Sequence, residues 1–346
     1  MPSQQITIKD IARALDISIS TVSRALKNNW DISAATRERV QAYAREHHYI
    51  PNAMASSLRR SHTQPNFTIG VIVPQFVHYY FSCILTGIEE EAQKHGYMLM
   101  VAASDEKYEK EKEIVRRFNE ARICGLIVSQ AKDTKNYDHF QNMINNGIPI
   151  VFYDRICTGI VTNRIVVDDY EGAFRAVDYL IRTGCRRIAF YSADKRLEIS
   201  KNRMNGYRDA LLTHKLPVDD ELIRYCDNYE QSMDLTPYML MMQDRPDAFF
   251  AINDETAMGI LHTCKRYGYR IPEDVSICGF TNSNIAMACD PQLTTVEQRG
   301  YDLGVAAART LIEKIEHEET EIKNSVVKTR LVVRGTTRPL PETTLR

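Results

Sequence analysis

The chain has 346 residues, 44% hydrophobic and 26% charged, the proportions of a soluble globular protein long enough for two or three compact units. No apolar run approaches the ~18–20 residues of a membrane span, and the opening Met1-Pro2-Ser3-Gln4-Gln5 lacks a basic-then-apolar leader, so a cytoplasmic protein without membrane contact is expected. A net charge of −1 conceals an asymmetry, because residues 1–62 hold nine Lys and Arg against five Asp and Glu, which leaves −5 on the remainder. A basic front on a mildly acidic body is the footprint of a modular DNA binder, and an excess of four is too small for unspecific coating of DNA. The eight cysteines form no CxxC pair and predict reduced thiols without disulfide, metal or cofactor roles.

Residues 7–26, TIKDIARALDISISTVSRAL, read as two short amphipathic helices joined by a tight polar turn. Thr7 and Asp10 fit a capping box, and Ile8, Ile11, Ala12 and Leu15 follow on one face. Ser18 can cap a second helix whose Val22, Ala25 and Leu26 point inward, leaving Ile19, Ser20, Thr21, Ser23 and Arg24 outside. That exposed set is small and polar with one fork-shaped cation, which suits base edges and phosphate oxygens. A third capped helix begins at Ser33. Residues 51–60, PNAMASSLRR, are a helical candidate too short to stand alone in water, so they read as a hinge that folds on DNA, with 61–66 as linker.

From Phe67 onward strands and helices alternate. Strand-like runs fall at 68–73, 98–102, 125–128, 149–152, 165–167, 187–191, 248–252 and 275–278, with amphipathic helices at 83–95, 110–121, 172–183, 203–214 and 257–267. Such alternation predicts parallel sheets with helices on both faces, and its length predicts two doubly wound units. Tyr238-Met239-Leu240-Met241-Met242 reads as helix core. Asp168-Asp169 and Asp219-Asp220 read as a helix start and a turn rather than metal carboxylates. The turn after the first strand has no glycine-rich loop, and neither GxxxxGK[ST] nor GxSxG occurs, which argues against a nucleotide-dependent enzyme or a serine hydrolase.

The pattern T-I-x-D-I-A, S-x-x-T-V-S-R-x-L at the front, followed by SAATRERV from Ser33, YIPNA from Tyr49 and ASSL from Ala55, resembles the lactose-repressor (LacI/GalR) family from about Ile6 to Pro339. The resemblance implies an N-terminal all-α helix-turn-helix headpiece (1–49), a hinge helix and linker (50–66), an α/β two-lobed periplasmic-binding-protein-like effector domain (67–338) and a tail (339–346). Its first lobe would take about 67–166 and 298–327, including a helix at 301–317. The second would take about 167–297 and 328–338, with a strand at 326–333. Implied is a non-enzymatic, sequence-specific regulator, a repressor, that binds a pseudo-palindromic double-stranded DNA operator as a homodimer. A small carbohydrate-type effector between the lobes would control it, with no cofactor and no membrane partner. The few residues after Pro339 carry no leucine heptads, so no tetramerising coiled coil is expected.

Matched to the family position by position, Ile19, Ser20 and Arg24 would face the major groove, with Arg24 bidentate to guanine. Ser18, Thr21, Ser23 and Ser33 would bond phosphates. Ile19 could instead belong to the core. Leu58 would wedge into the minor groove beside Asn52 and Ala53, unless it is an ordinary apolar linker residue. Effector-binding positions are Tyr80, Phe81, Asp154, Arg203, Tyr229, Asn253 and Thr281, although Asp154 could be a cap and Tyr80 a core residue. Many family members carry an aspartate where this chain has Thr281. Loss of that anion with Arg203 kept points to a sugar acid or sugar phosphate rather than a neutral sugar.

Overall fold

The computed structural model describes residues 6–47, 49, 67–317 and 321–341. The chain divides at Phe67 into two compact units. In the first, α1 (Ile8–Leu15), α2 (Ile19–Leu26) and α3 (Ala34–Glu46) surround a small core of Ile11, Ala12, Val22, Ala25, Val40 and Ala44. The Thr7–Asp10 capping box forms, and Asp16 ends α1 in the left-handed region at φ +51°, which a short polar side chain tolerates. Ser18 and Ser33 each accept a backbone N–H at the start of α2 and α3. Two eight-residue helices and one of thirteen are marginal alone, so their shared apolar faces hold the unit together.

The second unit runs, in chain order, β1 (Thr68–Val73), α4 (Tyr79–Lys94), β2 (Met98–Ala103), α5 (Tyr108–Glu120), β3 (Gly125–Val128), α6 (Asp138–Asn145), β4 (Ile150–Tyr153) and β5 (Asn163–Val167). It continues with α7 (Asp169–Arg182), β6 (Ile188–Ser192), α8 (Glu198–Thr213), β7 (Ile223–Tyr225), α9 (Tyr229–Leu240), β8 (Ala248–Ala251) and α10 (Asp254–Arg266). Then come β9 (Ser276–Thr281), α11 (Asn284–Ala288), β10 (Thr294–Glu297), α12 (Gly300–His317), β11 (Asn324–Val327) and β12 (Arg330–Val332). They build two six-stranded sheets, ordered β11-β5-β4-β3-β1-β2 and β12-β10-β9-β8-β6-β7. Every pairing is parallel except β10 with β12. β3, β4, β6, β8 and β9 are buried throughout, as strands covered by helices on both faces must be.

The strand expected at 326–333 is two strands in different sheets. β11 pairs with β5 and β12 with β10, because Lys328 and Thr329 carry the chain from one lobe to the other. The Thr329 hydroxyl donates to the Asp168 carbonyl at 3.3 Å, tying this crossing to the one after β5. The run at Tyr238 is not uniformly core. Met239 and Leu240 are buried while Tyr238 and Met241 are 69% and 66% exposed, because a helix cannot turn four consecutive side chains inward. Within the first lobe α4 packs against α12 closely enough that a Cβ on Gly304 would lie 2.1 Å from the Ile84 carbonyl oxygen. One turn earlier, a Cβ on Gly300 would lie 3.0 Å from the Tyr80 ring, so the first turn of α4 rests on the start of α12.

Candidate functional site

Two groups of residues carry chemistry, one in each unit. On the headpiece the Ser18 hydroxyl accepts the Thr21 N–H at 3.0 Å and lies within 2.8 Å of the Ser20 and Thr21 hydroxyls. Ser20 and Arg24 are exposed, and Thr21 and Ser23 half-buried. Ile19 is half-buried against the edge of the core, so it presents only part of its surface outward. Arg24 Nη1 donates to Asp31 Oδ2 at 2.7 Å. Ser33 is the cap of α3, its oxygen accepting the Thr36 N–H at 3.2 Å. The hinge positions Asn52, Ala53 and Leu58 lie outside the described residues.

In the larger unit the polar groups collect where the strands end at their carboxyl side, the usual binding crevice of open α/β sheets. Asp154 follows β4 directly, at φ +56°, and is 5% exposed. Burial pushes its carboxyl above the usual range, opposed by the Arg155 and Arg203 charges. Its carboxylate accepts no hydrogen bond within the described residues. Tyr80, at the start of α4, is buried with no partner for its hydroxyl among the described residues, and burial raises that hydroxyl well above its ordinary value, reinforced by Asp154 and Asp169. Phe81 packs beside it, ring centres 5.7 Å apart.

Arg203 is already paired within the protein. Its Nε and Nη2 reach Asp169 Oδ1 at 2.8 and 2.7 Å, Nη1 donates to the Ile252 carbonyl, and the guanidinium lies 3.6 Å from the centre of the Phe280 ring. Burial pushes Asp169 up to about 6, with the Arg203 charge opposing. Arg155 Nη1 reaches both carboxylate oxygens of Glu106 at 2.7 and 2.6 Å, and Lys132 of the first lobe bonds Asp227 of the second. His78 Nε2 stands 3.8 Å from Glu255 across the same gap. The cluster therefore sets four carboxylates, Glu106, Asp154, Asp169 and Asp227, against the cations Arg155, Arg203 and Lys132.

Asn253 caps α10 through the Thr256 N–H at 2.7 Å and donates to the Asp227 carbonyl at 2.8 Å. Thr281 donates to Gln298 Oε1 at 3.0 Å and sits at φ +138°, where a β-branched residue is strained by on the order of 1–3 kcal/mol. Thr281 is thus tied to the crossing before α12. The Tyr229 hydroxyl bonds His262 Nδ1 of α10 at 2.7 Å, with the ring centres 6.2 Å apart.

Sequence reading missed several members. Asp168 and Asp169 do form a helix start, Asp168 capping α7 through the Glu171 N–H at 3.2 Å and Asp169 opening it, but the pairing of Asp169 with Arg203 was not read. Ser104, Ser129, Gln130 and Ser192 each carry a buried side-chain oxygen with no partner among the described residues, and the Arg155 Nε donor has none there either. The available signal was positional: Ser104 directly follows β2, Ser129 and Gln130 follow β3, and Ser192 is the last residue of β6. Among the described residues no group of three His, Cys, Asp or Glu could hold a metal, and no helix is long and apolar enough to cross a membrane.

The model of bacterial regulatory proteins, lacI family, matches residues 7–52, and that of the periplasmic binding protein-like domain matches 177–337. The HTH-type transcriptional repressor CytR of Escherichia coli (strain K12) is 32% identical over 336 residues, 97% of each chain. The transcriptional regulator CelR–cellobiose complex aligns with a TM-score of 0.72 at 25% identity, over 96% of this chain and 100% of that one. The lac repressor dimer bound to operator and the anti-inducer ONPF shares the fold with a TM-score of 0.84 at 24% identity, over 97% and 100%.

Proposed function

Because the chain belongs to the LacI family of bacterial regulatory proteins, we propose that it is a homodimeric transcriptional repressor whose grip on a pseudo-palindromic operator responds to a small neutral sugar or sugar-like polyol. The headpiece, residues 1–49, reads the major groove through Ile19, Ser20 and Arg24, with Ser18, Thr21, Ser23 and Ser33 on phosphates. Residues 50–66 form the hinge, with Leu58 as a minor-groove wedge beside Asn52 and Ala53. Dimerisation has support in β2, the edge strand of the first sheet, whose Met98, Met100 and Val101 are 69%, 36% and 37% exposed.

The observation that carries the effector class is the set of buried oxygens without a partner among the described residues, on Tyr80, Ser104, Ser129, Gln130 and Ser192, in the lobes whose strand ends also hold the buried Asp154. A buried polar group without a partner is costly, and a ligand bearing several hydroxyls supplies both donors and acceptors. An anionic sugar has less support than Thr281 alone suggested. Asp169 already takes the charge of Arg203, and the surrounding carboxylates outnumber the cations. The CelR structure was solved with cellobiose, a neutral sugar, which fits the same reading.

The test begins with selection of genomic fragments by the purified protein at near-physiological salt, followed by titration of neutral sugars, uronates and sugar phosphates against the selected operator. An inverted repeat whose affinity shifts with a neutral sugar is the expected result. By linkage that sugar must bind operator-bound and free protein with different affinity. A response to uronates or sugar phosphates alone would overturn the neutral-ligand reading, and enrichment of no repeat would overturn the regulator.

A further inference from the structure

The guanidinium assigned to the operator is already held when no DNA is present. Arg24 Nη1 bonds Asp31, which stands in the loop 27–33 joining α2 to α3. That loop is pinned to α3 along its length. Gln41 donates to Asn28 Oδ1 at 2.7 Å, and Arg37 Nη2 donates to the carbonyls of Asn29 and Ile32 at 3.1 and 3.0 Å. Asp31 is therefore a fixed anion on a surface that otherwise presents hydroxyls and a cation. Beside DNA a carboxylate repels phosphate and weakens binding to any sequence. Its contribution to stability is also slight, because both partners of this pair are solvent-accessible, Arg24 by 48% and Asp31 by 32%.

We propose that Asp31 is a specificity-determining residue that positions Arg24. By occupying Nη1 it leaves the Nε–Nη2 edge, two parallel N–H groups, oriented for the O6 and N7 acceptors of guanine. The braced loop removes rotamer freedom that Arg24 would otherwise lose on binding, while the anion lowers affinity for every other sequence. This rests on the reading of Arg24 as a base contact.

The test compares the full-length wild type with D31N, R24A and R24A/D31N. Ligands are the selected operator, operators with each guanine replaced in turn, and a random duplex. Trp30, the only tryptophan in the chain and 93% exposed beside Asp31, supplies the fluorescence readout. D31N is expected to bind the random duplex several-fold more tightly and to lose about tenfold in discrimination at one guanine, within the range set by a bidentate contact. Its unfolding should not change. In the R24A background, D31N should raise random-duplex affinity and leave discrimination unaltered. Undiminished discrimination by D31N would overturn the proposal, as would an equal loss with Arg24 already absent. A wild type that selects no sequence would remove the regulatory reading itself, a distinguishable failure.

Discussion

The headpiece and the cleft solve the problem of displaying polar groups in opposite ways. The headpiece builds a six-residue core and leaves the groups proposed to read DNA outside it, so that Ser20 and Arg24 contribute little to folding. The cleft buries its groups and balances them against one another, with Asp169, Asp154 and Arg203 each no more than 5% exposed. Recognition and stability are thus separable in one unit and joined in the other. A headpiece side chain can change partner preference while the fold stays intact, whereas a cleft side chain that changes ligand preference also leaves a buried charge or hydrogen bond to be satisfied.

The largest effect expected of this contrast is at Arg203. Arg203→Met keeps an unbranched chain of similar reach over Phe280 but strands Asp169, a carboxylate 3% exposed, without its cation. Breaking one side of a buried pair costs about 3–5 kcal/mol. Denaturant unfolding of the full-length protein should show that loss in the larger unit, together with loss of the effector response. Retained stability with a lost response would break the contrast, because the cleft would then behave like the headpiece.

Changing the pH probes the same buried pair without mutation. Burial pushes Asp169 up to about 6, so between its unfolded value near 4 and about 6 the folded chain holds a proton that the unfolded chain has released. More protons bound in the folded state means that unfolding free energy rises as pH falls through that window. From this group the gain is at most about 3 kcal/mol. Asp154 and Asp254, also raised by burial, act in the same direction. Glu113, held down to about 2 by Arg116 and Arg117, acts oppositely as pH falls from about 4.5, as do Glu91, Asp194 and Asp274, which their Lys and Arg partners also hold down. Urea midpoints for the larger unit should therefore rise from pH 7 to 4.5, and Asp169→Asn should flatten the rise. A wild-type midpoint that falls steadily over that interval would contradict the sign.

How much of each site could be read in the sequence follows from the same contrast. Exposed groups at helical spacing are local, and the capping pairs at Thr7, Ser18 and Ser33 are visible within four residues. The β-α alternation was also plain, because strands such as β3 and β4 are unbroken apolar runs. The three-residue strands β7 and β12 carry too few residues to show a period, and β10 begins with two buried threonines that read as polar. In the cleft, Asp169 meets Arg203 across 34 residues and Lys132 meets Asp227 across 95, and no local pattern encodes a pairing at that range. The Asp169 partner of Arg203 was unreadable for that reason, as was the bond from the Tyr229 hydroxyl to His262 on α10, 33 residues away.

The smallest effect, at Ser33, tests separability within the headpiece, where one oxygen has been given two roles. It accepts the Thr36 N–H as the cap of α3, and a phosphate contact is proposed for it. Ser33→Ala removes both, costing about 1 kcal/mol of headpiece stability, read as faster hydrogen exchange of the α3 amides in the full-length chain. Ser33→Asp keeps an oxygen for the cap and adds favourable charge at a helix start, so exchange should stay slow, while operator affinity should fall because an anion now faces phosphate. If the two variants lose DNA affinity equally while differing in exchange, the two roles are independent and the headpiece surface is as modular as its exposure suggests. If affinity instead follows exchange, Ser33 acts on DNA only through the order of α3, and the division between an outer reading surface and an inner core would not extend to the capping residues.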